Sequence, residues 1–190
     1  MITLDENLLI GRGSERSCYR HPSDTQLCIK VISQYTPRTV SRIARELKYL
    51  KKYKQTPNKL EAIPDFHQTI DTNLGRGYCF SLIIDFDGAV STRLSDHVKE
   101  HGVDDLIYRK IIEIYHAFLK SGAVVSDLHP GNLLLQRRSE EDFGLIMIDG
   151  FGNSDFIKVC DYSAYFQKKK LIRKFQRMLT NMNLPTKEIK

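Results

Sequence analysis

A chain of 190 residues, 41% hydrophobic and 27% charged, is long enough for one compact domain or two small lobes with a self-sufficient core. No apolar run approaches ~20 residues, which argues against a helical membrane span. Cys18, Cys28, Cys79 and Cys160 are dispersed without a C-x-x-C pair, which argues against a disulfide framework and a clustered zinc site and for reduced thiols.

The net charge of +6 sits at one end. From Lys168 onward eight Lys/Arg meet one Glu, so the first 167 residues sum to −1. A general nucleic-acid-binding surface is therefore not expected. Met1 to Glu6 lacks the basic start and apolar core of a secretory signal, so a cytoplasmic location is expected.

Leu8-Leu9-Ile10 reads as a short strand running into Gly11-Arg12-Gly13-Ser14-Glu15-Arg16-Ser17, and Cys18-Tyr19-Arg20 as the returning strand. Such a hairpin can lay backbone amides over phosphates; a plain turn is the alternative. No helical pattern follows, so the dinucleotide fingerprint does not apply. Leu27 to Ile32 reads as a strand with Lys30 in its middle, where a charge partner or the surface must be in reach. Thr36-Pro37 opens a helix over 38–54, with Val40, Ile43, Leu47 and Leu50 at helical spacing. Glu46 is its only acid, at the rim of the apolar face; the bland reading pairs it with Arg42 at the surface.

After a polar linker, Phe66–Thr72 and Tyr78–Phe86 read as strands joined by a turn at Asn73–Gly77. Asp85-Phe86-Asp87-Gly88 ends the strand-rich part, and a hinge is expected at Asp85 to Val90. Ser91 or Thr92 is placed to cap a short helix to His101. A thick apolar face from Ile107 to Leu119 predicts a core helix over 104–120, closed by Gly122. Leu133–Gln136 and Gly144–Ile148 read as strands around a charged turn. A basic amphipathic helix is expected over Ser163–Leu179, with a frayed end from Thr180.

Between the core helix and the strands lies Ser126-Asp127-Leu128-His129-Pro130-Gly131-Asn132. Apolar runs bracket it, and Pro130-Gly131 disfavours regular structure inside it. It reads as a tight loop holding an acid and an amide in fixed relation. Asp149 follows 17 residues after Asn132, at the end of the run Leu145–Ile148. A base, an amide ligand and a carboxylate ligand in this order suit phosphoryl transfer from a magnesium nucleotide.

With the glycine hairpin, the strand lysine and the helix glutamate added, the chain resembles the protein-kinase-like fold. The D-L-H-P-G-N wording is similar to that of aminoglycoside- and choline-kinase-type small-molecule kinases. I-G-R-G, C-Y-R-H-P, C-I-K-V, R-E-L-K-Y, D-F-D-G and I-D-G-F-G make the whole stretch from about 8 to 180 resemble the bacterial YrbL family, named for the PhoP regulatory network.

The resemblance implies an α+β class: a minimal bilobal kinase-like fold. The N-lobe, residues 1–88, would be an antiparallel sheet plus one helix. The C-lobe, residues 89–190, would be truncated and mostly helical. It further implies that Asp127 orients or deprotonates an acceptor hydroxyl and that Asn132 and Asp149 hold magnesium. Lys30, positioned by Glu46, would grip ATP phosphates under Gly11 and Gly13. Asp85 to Gly88 would edge the adenine through backbone groups. His129 would contact phosphate or serve the loop structurally.

The chain departs from the family pattern at several points. Arg16 stands at the third glycine position, Val125-Ser126 replaces the usual His-Arg, and Gly150 is an extra residue before Phe151-Gly152. Only 41 residues follow Asp149, too few for a peptide-docking subdomain. The expected function is an ATP- and magnesium-dependent phosphotransferase acting on a hydroxyl of a small molecule, sugar or glycan. The alternative is a pseudokinase-like nucleotide-binding regulatory module. The basic helix would pack on the second lobe with its lysines outward, or meet an anionic membrane surface or acidic partner.

Overall fold

The computed structural model describes residues 1–55, 60–153 and 163–190. Its first part is a five-stranded antiparallel sheet of order β1-β2-β3-β5-β4. The strands are β1 (Leu9–Arg12), β2 (Arg16–Arg20), β3 (Leu27–Ile32), β4 (Phe66–Thr72) and β5 (Gly75–Ser81). The apolar, β-branched run of β3 takes the central place, as its near-complete burial requires. Alternation along β3 puts Cys28, Lys30 and Ile32 on one face and Ile29 and Val31 on the other. Ile29 and Val31 join Leu4 and Tyr19 in a small satellite core. The opposite face meets α1 (Pro37–Gln55), which buries Ile43, Tyr49, Leu50 and Tyr53.

The second part holds a three-stranded antiparallel sheet of β6 (Thr92–Arg93), β7 (Leu133–Arg137) and β8 (Phe143–Met147). Around it lie α2 (Leu94–His101), α3 (Asp105–Ser121) and α4 (Ala164–Asn181). Asp104 caps α3 by accepting from the Ile107 amide, and Gly122 ends it in the left-handed conformation at φ 64°. Phe175 of α4 is fully buried against Tyr115 and Phe118 of α3, edge to face at 5.2 and 6.1 Å. One continuous core runs from the sheet through α1 into α3 and α4. The mixed α+β class with antiparallel sheets is thus present, with four α-helices among the described residues.

Several expectations need correction. The strand expected over Tyr78–Phe86 ends at Ser81. Beyond it, Ile84 bridges to Val90 and a tight turn forms, with the Gly88 amide donating to the Asp85 carbonyl. The cap of α2 is Arg93, without a side-chain bond, because the Ser91 hydroxyl donates instead to Asp85. The expected frayed end is tied down. Tyr115 donates to the Lys190 carbonyl at 2.6 Å, Gln176 donates to the Ile189 carbonyl at 3.1 Å, and Ile189 is buried. Phe166, an apolar position of the last helix, is 48% exposed. Cys160 and part of the polar linker lie outside the described residues.

Candidate active site

Between the β1–β2 hairpin, α1 and the loop before β7 lies a cleft of about 340 Å³. Gly11, Gly13, Lys30, Glu46, Asp127, Asn132 and Asp149 all line it, drawn together from across the chain. A neighbouring cavity of about 580 Å³ shares Gly11, Cys18, Lys30 and Ile148 with the cleft and is walled by Ile10, Phe80, Leu82, Ile83, Val90 and Leu134. Asp85 and Gly88 line neither space. Asp85 is a buried tie instead: its carboxylate accepts from the Arg137 amide at 3.0 Å and Nε at 2.7 Å. Ser81–Ile83 line the neighbouring cavity instead.

The Ser126–Asn132 loop is held mainly through its backbone. The Gly150 carbonyl accepts from the Ser126 amide at 2.8 Å, the Ser126 hydroxyl at 3.0 Å and the Asp127 amide at 3.3 Å. The Asn132 side-chain amide donates to the Asp127 carbonyl at 3.0 Å, which fixes its orientation and leaves its oxygen for another partner. His129 Nδ1 accepts from the Gly131 amide at 3.1 Å, capping the short turn Pro130–Asn132, while Nε2 lies 3.7 Å from Asp127 Oδ2. The histidine is therefore first a loop-shaping residue.

Gly150, extra relative to the kinase pattern, is what lets the two segments meet. It has φ +86°, and a Cβ there would lie 2.4 Å from the Asp127 carbonyl oxygen. Neither value suits a side chain. Tyr53 of α1 reaches the same region. Its hydroxyl accepts from the Val124 amide at 2.6 Å and donates to the Val124 carbonyl at 3.3 Å. Lys174 of α4 donates to the Ser126 carbonyl. Burial and the neighbouring Lys170, Arg177 and Arg173 hold its ammonium below the ordinary lysine value, with Asp127 opposing them. The lysines of this helix are thus not all outward, since Lys170 is also buried and donates to Asn153 Oδ1 at 2.8 Å.

The opposite wall is held by charge. Arg16, whose side chain is 5% exposed, places Nη2 at 2.9 Å from Glu46 Oε2 and 2.6 Å from Asp149 Oδ2. Arg42 pairs with Glu15, so the surface Arg42–Glu46 pair does not form and Glu46 is buried. The Lys30–Glu46 pairing implied by the resemblance does not form either. Lys30 donates to the Ile148 carbonyl at 2.7 Å, with its ammonium 5.0 Å from the Phe80 ring centroid.

The titration behaviour follows. Burial raises the Glu46 carboxyl above its ordinary value, with Arg16 opposing. Burial also pushes Asp149 up, but Arg16 and Lys30 more than offset it and hold it at about 2. The Cys18 thiol, beside Cys28 and facing Lys30, Arg16 and Arg93, is lowered against the effect of burial. Arg16 was marked in the sequence only as a missing glycine. The signal that finds it is strand alternation: Arg16, Cys18 and Arg20 share a face of β2, opposite Ile32, Lys30 and Cys28.

The residues fit a divalent cation of the magnesium type. Such a cation takes one or two protein carboxylate or amide oxygens and keeps water and phosphate for the rest. Asn132 and Asp149 supply that set. No group of three or more His, Cys, Asp or Glu suited to a metal occurs among the described residues, so a closed all-protein cage is not built here. No helix among the described residues is long and apolar enough to cross a membrane.

Comparison with known proteins agrees with the motif reading at family level. The chain belongs to the PhoP regulatory network protein YrbL family, whose model matches residues 2–183. It is 31% identical over 182 residues to YrbL of Escherichia coli (strain K12), covering 94% of this chain and 87% of that protein. The same values hold for YrbL of Shigella flexneri.

Proposed function

We propose that the chain is a minimal bilobal kinase-like phosphotransferase that uses ATP and magnesium to phosphorylate a hydroxyl of a small molecule, sugar or glycan. Residues 1–88 would form its N-lobe and 89–190 its truncated C-lobe. The observation that carries this reading is the convergence of Lys30, Asp127, Asn132 and Asp149 on one cleft beside an apolar cavity. Asp127 is the acceptor-side base: its side chain is 71% exposed, and its backbone is fixed by Gly150. Asn132 Oδ1 and the Asp149 carboxylate are the metal ligands. Bound there, magnesium would spread the charge that develops on the transferred phosphoryl group. Lys30 stands where cleft and apolar cavity join, placed for the nucleotide phosphates. The cavity's apolar part, Ile10, Phe80, Leu82, Val90 and Leu134, suits a purine ring, and Arg12, Arg20, Arg93 and Asp96 also line it. A cytoplasmic site of action follows from the ATP requirement.

A regulatory nucleotide-binding module without transfer is favoured by one observation, the neutralisation of Asp149 by Arg16. The basic helix serves the fold first, through Lys170, Lys174 and Phe175. Lys168, Lys169, Arg173 and Arg177 remain outward for an acidic partner or an anionic membrane surface.

A thermal-shift titration separates a working site from an inert one. ATP with magnesium is expected to raise the melting temperature more than ATP alone. Asp127→Ala is expected to keep that shift and lose ADP release, and Asp149→Ala to lose both. Unchanged turnover in Asp149→Ala would refute transfer by this site.

A further inference from the structure

Two carboxylates in the cleft share one cation, and that cation is not satisfied by them. Arg16 Nη1 has no hydrogen-bond partner, nor does Glu46 Oε1, and both atoms are cut off from solvent. Unmade bonds on buried charges are costly. An ion pair left in this state is therefore incomplete, with a buried donor and a buried acceptor unpaired beside the cleft that both residues line. Arg16 is also fixed where a side chain alone can move. Its backbone is in register with Ile32, and its carbonyl accepts from the Gly13 amide at 2.8 Å. A guanidinium presents five donors in a planar fork matched to phosphate oxygens.

We propose that Arg16 is a further phosphate-binding residue of this cleft. It stands on Asp149 as a counter-cation, and it would leave that carboxylate for polyphosphate oxygens on binding of a divalent cation. The inference rests on the nucleotide-site reading above but does not need transfer to occur. Glu46 is the pivot: it holds the guanidinium in both positions, while Asp149 exchanges one cation for another. The carboxylate would thereby be paired with a cation both before and after loading.

The experiment uses Mn²⁺ alone and inorganic tripolyphosphate with Mg²⁺ as probes, on the wild type, Arg16→Met and Arg16→Lys. Free Mn²⁺ is followed by electron paramagnetic resonance and tripolyphosphate by calorimetry. Arg16→Met is expected to bind Mn²⁺ on the order of tenfold more tightly than the wild type, within the range by which residues supporting a metal ligand move affinity. That gain should vanish in the double variant Arg16→Met/Asp149→Asn. Tripolyphosphate affinity should move the other way, falling by a similar factor in Arg16→Met and partly recovering in Arg16→Lys. Two affinities that fall together, or do not change, would overturn the inference and leave Arg16 a structural ion-pair residue.

Should Arg16→Met fail to fold, the wild type decides alone. The Arg16 side-chain ¹⁵N resonance must shift when Mg²⁺ and tripolyphosphate are added together, and an unmoved resonance refutes the exchange. A shift without any ATP turnover keeps this inference and removes transfer. Turnover without opposed affinities does the reverse.

Discussion

Each wall of the cleft carries carboxylates, and the two walls hold them by opposite means. On the hairpin side, Glu46 has a side chain 3% exposed, and Asp149 shares Arg16 with it. Side chain is held chiefly by side chain there, with the Gly150 amide also donating to Asp149 Oδ1 at 2.8 Å, and changing any one of the three alters the other two. On the loop side, Asp127 is 71% exposed, and what fixes it is backbone: the Gly150 carbonyl and the Asn132 amide grip the main chain. On the proposed reading, a group that would meet an acceptor is kept rigid without its reactive end being occupied. Groups that would meet charged ligands are kept paired.

This contrast can be broken most severely at Gly150. Gly150→Ala forces a Cβ against the Asp127 carbonyl at a positive φ, and is expected to cost about 3 kcal/mol, the upper end for a strained backbone position. Chemical denaturation measures it. A loss as small as that of a surface change would mean that the loop side does not depend on this close approach. Tyr53→Phe removes a single hydroxyl that serves both the Val124 amide and its carbonyl, and should lose about 1–3 kcal/mol by the same measurement. Asp127→Asn sharpens the contrast from the other end. It touches an exposed side chain whose backbone ties stay intact, so stability should change by less than about 0.5 kcal/mol. A larger loss would place Asp127 among the structurally coupled carboxylates and dissolve the distinction.

Much of this organisation was legible in the chain. β3 and β4 begin and end where the sequence reading places them, α1 and α3 fall within a residue or two of their periodic patterns, and seven residues named for the site meet in one cleft. Local pattern sufficed because each of those residues sits on, or in a short loop beside, an element whose period is readable. Partner choice was less legible. Glu46 is flanked by basic residues along its own helix, yet its partner arrives from β2, 30 positions away. Lys30 finds a backbone carbonyl rather than an acid. Arg16 stood out only as the residue at the third glycine position, and pairing with β3 turns it inward. Gly150 looked like an irregular insertion because its function is a close approach to a segment 23 residues earlier. Distances of that kind leave no trace in local spacing. Asp85 misled for a related reason: an acid at a strand end reads as an exposed edge, while here it binds Arg137 from the far side of the charged turn.

Asn153 joins two helices that are distant in the chain. Arg45 of α1 donates to its carbonyl at 3.0 Å, and Lys170 of α4 donates to its side chain at 2.8 Å. Eight residues beyond Arg45, Tyr53 holds Val124, whose carbonyl also accepts from the Gly152 amide at 2.8 Å. Eight residues of helix span about 12 Å. Helix α1 therefore works as a splint riveted at two points to the paired segments 124–125 and 151–153. Glu46 lies between the rivets. A tilt of the helix cannot carry Glu46 away from Arg16 without dragging the chain that bears Asp149. The register of the two carboxylates is thus a mechanical property of one rigid rod, not the sum of two separate placements.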